Sequence, residues 1–284
     1  MPVIVVSGSE AGAGATTVAA GLAHRLAYAG HRVRVERLAF GANAERDAAT
    51  FGMLEFASSA GRPVQAGAIS PDDGVTVIDA SMSPDAGTIA GALGAVRVAV
   101  MLAGHVGGTT TGAALVIENH AAAGGQLRLP EDRLLAAPTV GTLIAASRAR
   151  VVARSTEGER AICEHIVIGA ISHDSDQPYF ARFPHKVVVT RAEKVDIALS
   201  ALRTDAECLI LTGGSDPSPY VLDRVAASRG TTLLVAPEGT VETVRDIEGT
   251  FGRSAFSSDA KVERIGMLMA SAVSDDALTR LVGG

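Results

Sequence analysis

Tryptophan is absent from this chain of 284 residues, and aromatic residues amount to 4% of it. An interior without large rings has to be filled by small aliphatic side chains packed closely, and the many alanines and 31 glycines are suited to that. Charged residues make up 20% of the chain, the formal net charge is -6, and the Lys and Arg residues form no stripe or cluster. A nucleic-acid backbone or an anionic membrane surface therefore has no electrostatic footprint to bind, and neither is expected as a partner. No apolar run approaches the roughly 18 uninterrupted residues of a membrane span. The start, Met1-Pro2-Val3-Ile4-Val5-Val6, reads as a strand rather than a charged signal sequence, so the cytoplasm is the expected compartment. Cysteine occurs twice, at Cys163 and Cys208, beside apolar runs and without metal-ligand spacing, which argues for buried thiols against a zinc site or disulfide framework. Lysine occurs three times, at Lys186, Lys194 and Lys261, all in the second half.

What is present is a hydrophobic fraction of 47%, enough for a sizeable core. The length suggests two domains of ordinary size. Up to about residue 155, short β-branched runs alternate with Ala-rich stretches of helical period, the pattern of a parallel sheet covered by helices. Strands are expected at Val3 to Ser7, Val33 to Arg37, Val75 to Asp79, Val96 to Leu102 and near Leu127 to Leu129, with a first helix from Ala15 to Gly30. The charged stretch from Arg154 to Arg160 weakens the pattern and suggests a boundary, giving domains 1–155 and 156–284. Beyond it the alternation resumes, with strands at His165 to Ile168, Lys186 to Thr190, Cys208 to Leu211 and Thr232 to Val235, and helices near Ile197 to Arg203 and Pro219 to Ser228. Both halves read as α/β.

The run from Val3 to Thr17 has the order strand, glycine loop, helix that presents backbone N–H groups to an anion. Gly8, Gly14 and Thr16 fall on the pattern Gly, five residues, Gly, Lys, Thr, and the run resembles the phosphate-binding loop of dethiobiotin synthetase and its relatives. That resemblance implies a P-loop NTPase-like sheet with flanking helices, and a nucleotide such as ATP held by Gly8, Ser9, Gly12, Gly14, Ala15, Thr16 and Thr17. Magnesium would then sit on Thr16 and Asp79, the latter ending the strand Val75 to Asp79, and only when nucleotide is bound. Ala15 stands where the family has its lysine, which removes a cation from the place where phosphoryl transfer accumulates negative charge. No lysine lies in residues 1–155 to replace it, leaving Arg37 as the main candidate cation. The adenine-contacting Asn that ends a strand in related domains is not found before Leu129-Pro130-Glu131-Asp132, so the base pocket is expected to be missing as well. Two plainer readings stay open: a tight turn at the loop, and a cap or turn role for Asp79.

Leu129 to Val140 is similar to the segment closing the dethiobiotin-synthetase-like domain at the front of long phosphotransacetylases. Ile166 to Ser172 and Cys208 to Pro219 resemble the two best-marked strands of the DRTGG domain, a smaller α/β domain that follows it in those enzymes. Its name-giving motif is degraded here to Arg191-Ala192-Glu193-Lys194-Val195-Asp196. The resemblance implies a regulatory or ligand-sensing accessory protein without the catalytic domain, its ligand a metabolite or nucleotide bound weakly. It also implies a homo-oligomer, assembled through the DRTGG half, in which Glu193, Lys194, Asp196, Thr212, Gly213 and Gly214 form a second ligand set. The alternative is an ATP-dependent enzyme of the dethiobiotin synthetase type using a variant loop.

Two further groupings carry less. Gly104 to Gly112 follows a strand and is expected to open a helix, offering either a second anion cradle or a Thr109 cap. His165, His173, Asp174 and Asp176 are close in sequence but match no standard metal spacing. No nucleophile stands in a recognisable elbow, so hydrolase chemistry has no support.

Overall fold

The computed structural model describes residues 1–70, 73–105, 110–169, 179–253, 256 and 258–283. Within it the chain divides into two compact units, Met1–Leu135 with Ala255–Gly284, and Ala136–Ser254. Both are layered α/β structures, the expected class.

In the first unit the chain runs β1 (Val3–Gly8), α1 (Ala15–Tyr28), β2 (Val33–Arg37), α2 (Ala44–Phe51), β3 (Val75–Asp79), α3 (Ala86–Ala92), β4 (Val96–Leu102), β5 (Leu115–Ala121) and β6 (Arg128–Pro130), followed by the short helix α4 (Arg133–Ala136). The strands make one parallel sheet in the order β2-β3-β1-β4-β5-β6. Such a sheet must be covered on both faces, which is why its central strand β1 reads as the unbroken run Val3-Ile4-Val5-Val6. Val18, Leu22 and Leu26, four residues apart on α1, share a buried cluster with Ile4, Val6, Val98 and Ile117. Burying each of those leucines stabilises the unit by about 1.5–3 kcal/mol. Val3, Val5 and Ile78, on the opposite face, cluster with Ala86 and Ala90 of α3. From β1 the chain first builds outward through β2 and β3 on one side and then crosses to β4 on the other. The carboxyl end of β1 therefore lies at the topological switch point, where ligands of open α/β sheets bind.

Two C-terminal helices, α9 (Asp259–Ala272) and α10 (Asp275–Val282), complete this unit. They account for the main departure from the expected division at residue 155, because α9 packs against α1 through bare backbone. A Cβ on Gly21 would stand 2.6 Å from Cγ1 of Ile265 and 2.7 Å from Cγ of Met269. One on Gly266 would stand 2.5 Å from the His24 ring. Small residues spaced for helix packing look the same whether the partner is near or distant in sequence, so the long-range pairing escaped the sequence.

The second unit contains α5 (Val140–Ser147), β7 (Arg150–Ala153), β8 (His165–Ile168), β9 (Lys186–Arg191), α6 (Val195–Ala201), β10 (Cys208–Thr212), α7 (Pro219–Ser228), β11 (Thr232–Val235) and α8 (Thr240–Glu248). Its sheet has the order β7-β11-β10-β9-β8, with β7 antiparallel to β11 and the other pairs parallel. β7, four residues at the sheet edge, lies within what reads in sequence as the first domain. Cys163 and Cys208 are buried free thiols in the cluster that α5 and α8 share with this sheet, and burial pushes both well above the usual thiol range. Among the described residues no helix is long and apolar enough to cross a membrane.

Candidate functional site

At the switch point of the first unit, β1 ends in the loop that Gly8, Ser9, Gly12, Gly14, Ala15, Thr16 and Thr17 were expected to form. Gly12 and Gly14 both take the left-handed conformation, with φ of 82° and 86°. At Gly14 a side chain is doubly excluded, because a Cβ would also collide with the Asn119 amide. Gly14 is the N-cap of α1 and has no side chain with which to cap it, so the N–H groups of Gly14, Ala15, Thr16 and Thr17 have no intrahelical acceptor. The loop is tied elsewhere: the Ser9 N–H donates to the Val100 carbonyl at 2.8 Å and the Ala13 N–H to the Glu10 carbonyl at 3.2 Å. The Ser9 hydroxyl is buried and makes no hydrogen bond among the described residues. The arrangement offers backbone donors and the positive end of a 14-residue helix, which together suit a small anion.

The glycine loop is also held by Asn119, which the sequence reading did not single out. It sits on β5, a strand absent from the sequence reading, and its Nδ2 donates to the Ala13 carbonyl at 2.9 Å. Thr110 is in 3₁₀ conformation and residues 111–114 lead irregularly into β5, without the α-helix expected after Gly104 to Gly112; Val106 to Thr109, including the proposed cap Thr109, lie outside the described residues. The signal was Leu115-Val116-Ile117, a short apolar run hidden by the polar Glu118-Asn119-His120 that completes the strand. His173, Asp174 and Asp176 also lie outside the described residues, and among those described no group of three His, Cys, Asp or Glu side chains could hold a metal.

A buried chain of polar groups runs from the loop to the end of β2. Thr16 Oγ1 lies 3.0 Å from Ser81 Oγ, which donates to Asp79 Oδ1. The Ser81 N–H donates to the same oxygen at 2.9 Å. Asp79 Oδ2 faces Arg37 Nε at 3.2 Å, an ion-pair distance without the alignment of a hydrogen bond. Arg37 is also 3.5 Å from Asp47 Oδ2, and its Nη1 and Nη2 each donate at 2.8 Å to the carbonyls of Leu38 and Phe40. Arg37 is 2% exposed and Asp79 fully buried. Burial, reinforced by the Asp79 charge, raises the Asp47 carboxyl above its usual range, and Arg37 only partly opposes this.

This geometry overturns the role expected of Arg37. Its guanidinium is held by two carboxylates and three carbonyls, those of Leu38, Asp79 and Phe40, beneath the surface, so it cannot serve as the loop's cation. Residues 1–155 hold no lysine, but the compact unit gains Lys261 from α9. Its ammonium is 1% exposed and donates to the Leu135 carbonyl at 3.0 Å; burial lowers its pKa to about 8. At Ala15 there is a methyl group, 4% exposed. A magnesium does not fit the site as formed, because the Thr16 hydroxyl is joined to Ser81, Asp79 Oδ1 accepts two bonds, and Oδ2 faces Arg37.

In the second unit Arg191 and Thr212 are register partners, and the Ala192 N–H donates to the Thr212 carbonyl at 3.3 Å. The two expected ligand segments thus leave adjacent strand ends. Their donors point into the protein: the Gly213 N–H goes to the Glu238 carbonyl at 2.8 Å and the Gly214 N–H to the Ala236 carbonyl at 2.9 Å. Thr212 Oγ1 lies 2.8 Å from Thr240 Oγ1. Glu193 pairs with Arg191 at 3.1 Å, Lys194 is the N-cap residue of α6, and Asp196 lies in its first turn.

The second sheet and its helices form a compact α/β domain. Residues 142–250, almost the whole of that unit, match the DRTGG domain, so the chain carries one. Among solved structures, the CBS and DRTGG domains of the regulatory region of Clostridium perfringens pyrophosphatase, complexed with the activator diadenosine tetraphosphate, are similar over 52% of this chain and 70% of that one, at 13% identity and a TM-score of 0.36. That likeness is too remote for anything to pass from one protein to the other.

Proposed function

We propose that the protein is a regulatory, ligand-sensing accessory protein whose first unit is a dethiobiotin-synthetase-like P-loop domain that binds an anionic metabolite or nucleotide without turning it over. The observation that carries this reading is the fate of the cations around the glycine loop. Ala15 supplies none, Arg37 is neutralised by Asp79 and Asp47, and Lys261 is bonded to a backbone carbonyl. Phosphoryl transfer needs positive charge where the transferred group accumulates negative charge. Reversible binding needs only the backbone donors, which are in place. The DRTGG domain supports the regulatory side of the reading and, with it, assembly into a homo-oligomer. On this reading the two units resemble the front region of long phosphotransacetylases.

Magnesium-dependent ATP hydrolysis and thermal stabilisation, measured together on the full chain, test this. A bound ligand at a hundredfold excess over its dissociation constant stabilises the folded state by about 2.7 kcal/mol. The expected outcome is a rise in melting temperature with at least one nucleotide or acyl phosphate and no turnover. Magnesium-dependent ATP hydrolysis that is lost in Asp79→Asn would instead establish the enzyme reading.

A further inference from the structure

Glu10 is an acidic residue on the anion-binding loop itself, and it is not left to solvent. Its Oε1 lies 3.1 Å from Nδ1 of His105, on the loop that follows β4. The Ser9 N–H to Val100 carbonyl bond ties the same two strand ends together at 2.8 Å, so Glu10 is fixed at the mouth of the glycine loop. His105 also borders a groove of about 440 Å³ with Met101, Val116, Glu118 and Arg128. The two charged groups there cancel, because Arg128 Nε donates to Glu118 at 2.6 Å; that bond, aided by the Gly104 N–H, holds the Glu118 carboxyl below the usual carboxylate range. Among the described residues, the remaining charges near the loop are Glu10, with its partner His105, and the ion-paired Asp79, Asp47 and Arg37. The carboxylates outnumber the cations.

We infer that Glu10 is the specificity-determining residue of the glycine loop, restricting it to anions of low charge, such as a phosphate monoester, and excluding di- and triphosphates. The inference rests on the loop being an anion site, as proposed above. The helix end supplies about half a positive charge to a ligand. Each further phosphate adds negative charge that meets no cation and is repelled by the Glu10 carboxylate. His105 moderates that repulsion by pairing with Glu10.

The test is binding of AMP, ADP and ATP, without magnesium and at low ionic strength, to the wild type, Glu10→Gln and His105→Gln by isothermal titration calorimetry. AMP should bind the wild type most tightly and ATP least. Glu10→Gln should raise affinity by about threefold for AMP and about tenfold for ATP, while His105→Gln should shift ATP in the opposite direction. Raising the salt should erase the ranking, since Glu10 and His105 are 42% and 37% exposed. ATP as the tightest wild-type ligand, or an equal gain for all three nucleotides in Glu10→Gln, overturns the role of Glu10 while leaving the loop an anion site. Silence from all three proteins with all three nucleotides removes the anion site itself, and the selectivity falls with it.

Discussion

Each unit places a pair of glycines where a central strand ends at the carboxyl edge of its sheet, and the two pairs do opposite things. In the first unit, Gly12 and Gly14 turn the backbone so that the start of α1 faces outward with its N–H groups unbonded within the helix. In the second, the Gly213 and Gly214 N–H groups close onto the carbonyls of Glu238 and Ala236. A glycine turn is thus a site or a splice according to where the next element lies. The first loop runs straight into a helix, and among the described residues no side chain caps its start. The second runs past the loop after β11, which satisfies them. The buried charge differs in parallel. Arg37 lies among carboxylates beneath the first loop, whereas Lys186, 2% exposed in the second unit, donates to the carbonyls of Thr204 and Asp205.

The sharpest way to break this contrast is to remove the two buried cations. Arg37→Met leaves Asp79 and Asp47 buried beside each other without a counter-charge, and should destabilise the first unit by about 3–5 kcal/mol in urea denaturation. Lys186→Met leaves only carbonyl oxygens unpaired. Its ammonium already pays for burial, which lowers its pKa, so the loss should be about 1–2 kcal/mol. Equal losses would mean that the Arg37 ion pairs contribute no more than ordinary hydrogen bonds.

Much of this was legible in the sequence and some was not, for identifiable reasons. Strands such as Val75–Asp79 and Cys208–Thr212 are buried throughout, and their Val, Ile and Leu residues mark them in the sequence. β5 is half polar at its carboxyl end because that end lines the site, and the property that makes Asn119 useful is the one that concealed it. The glycine loop was visible as a motif. The burial of Arg37 was not, because an Arg that ends a strand looks alike whether it meets solvent or two carboxylates brought from residues 47 and 79. The C-terminal helices depend on a contact between residues more than two hundred positions apart, for which local periodicity has no signature.

A second pair of variants sharpens the glycine comparison at lower cost. Gly14→Ala combines a left-handed backbone with a collision against the Asn119 amide, and should cost about 2–3 kcal/mol and abolish anion binding. Gly214→Ala has the left-handed strain, but its Cβ would rest 3.6 Å from the Pro237 carbonyl oxygen, an ordinary contact. About 1 kcal/mol and unchanged anion binding are expected there. Loss of binding in Gly214→Ala would place a ligand in the second unit instead.

The smallest effect concerns pH and the first unit alone. His24 lies where α1 meets α9, its ring stacked 4.3 Å from Tyr28 and edge-on 5.0 Å from Phe56. Burial lowers its pKa from the usual 6.5, and Glu263 only partly opposes the shift. The folded unit therefore favours neutral His24, and below pH 6.5 the unfolded chain binds the proton more readily. Stability from this group is intact above that pH and declines as the pH falls through it. Hydrogen exchange of the α1 and α9 amides should accordingly speed up between pH 7.5 and 5.5, after correction for the intrinsic rate, in the wild type and not in His24→Asn. The amides of β9 and β10 should show no matching limb in the same experiment. A limb shared by both units would assign the effect to the net charge of the chain and not to a proton on His24.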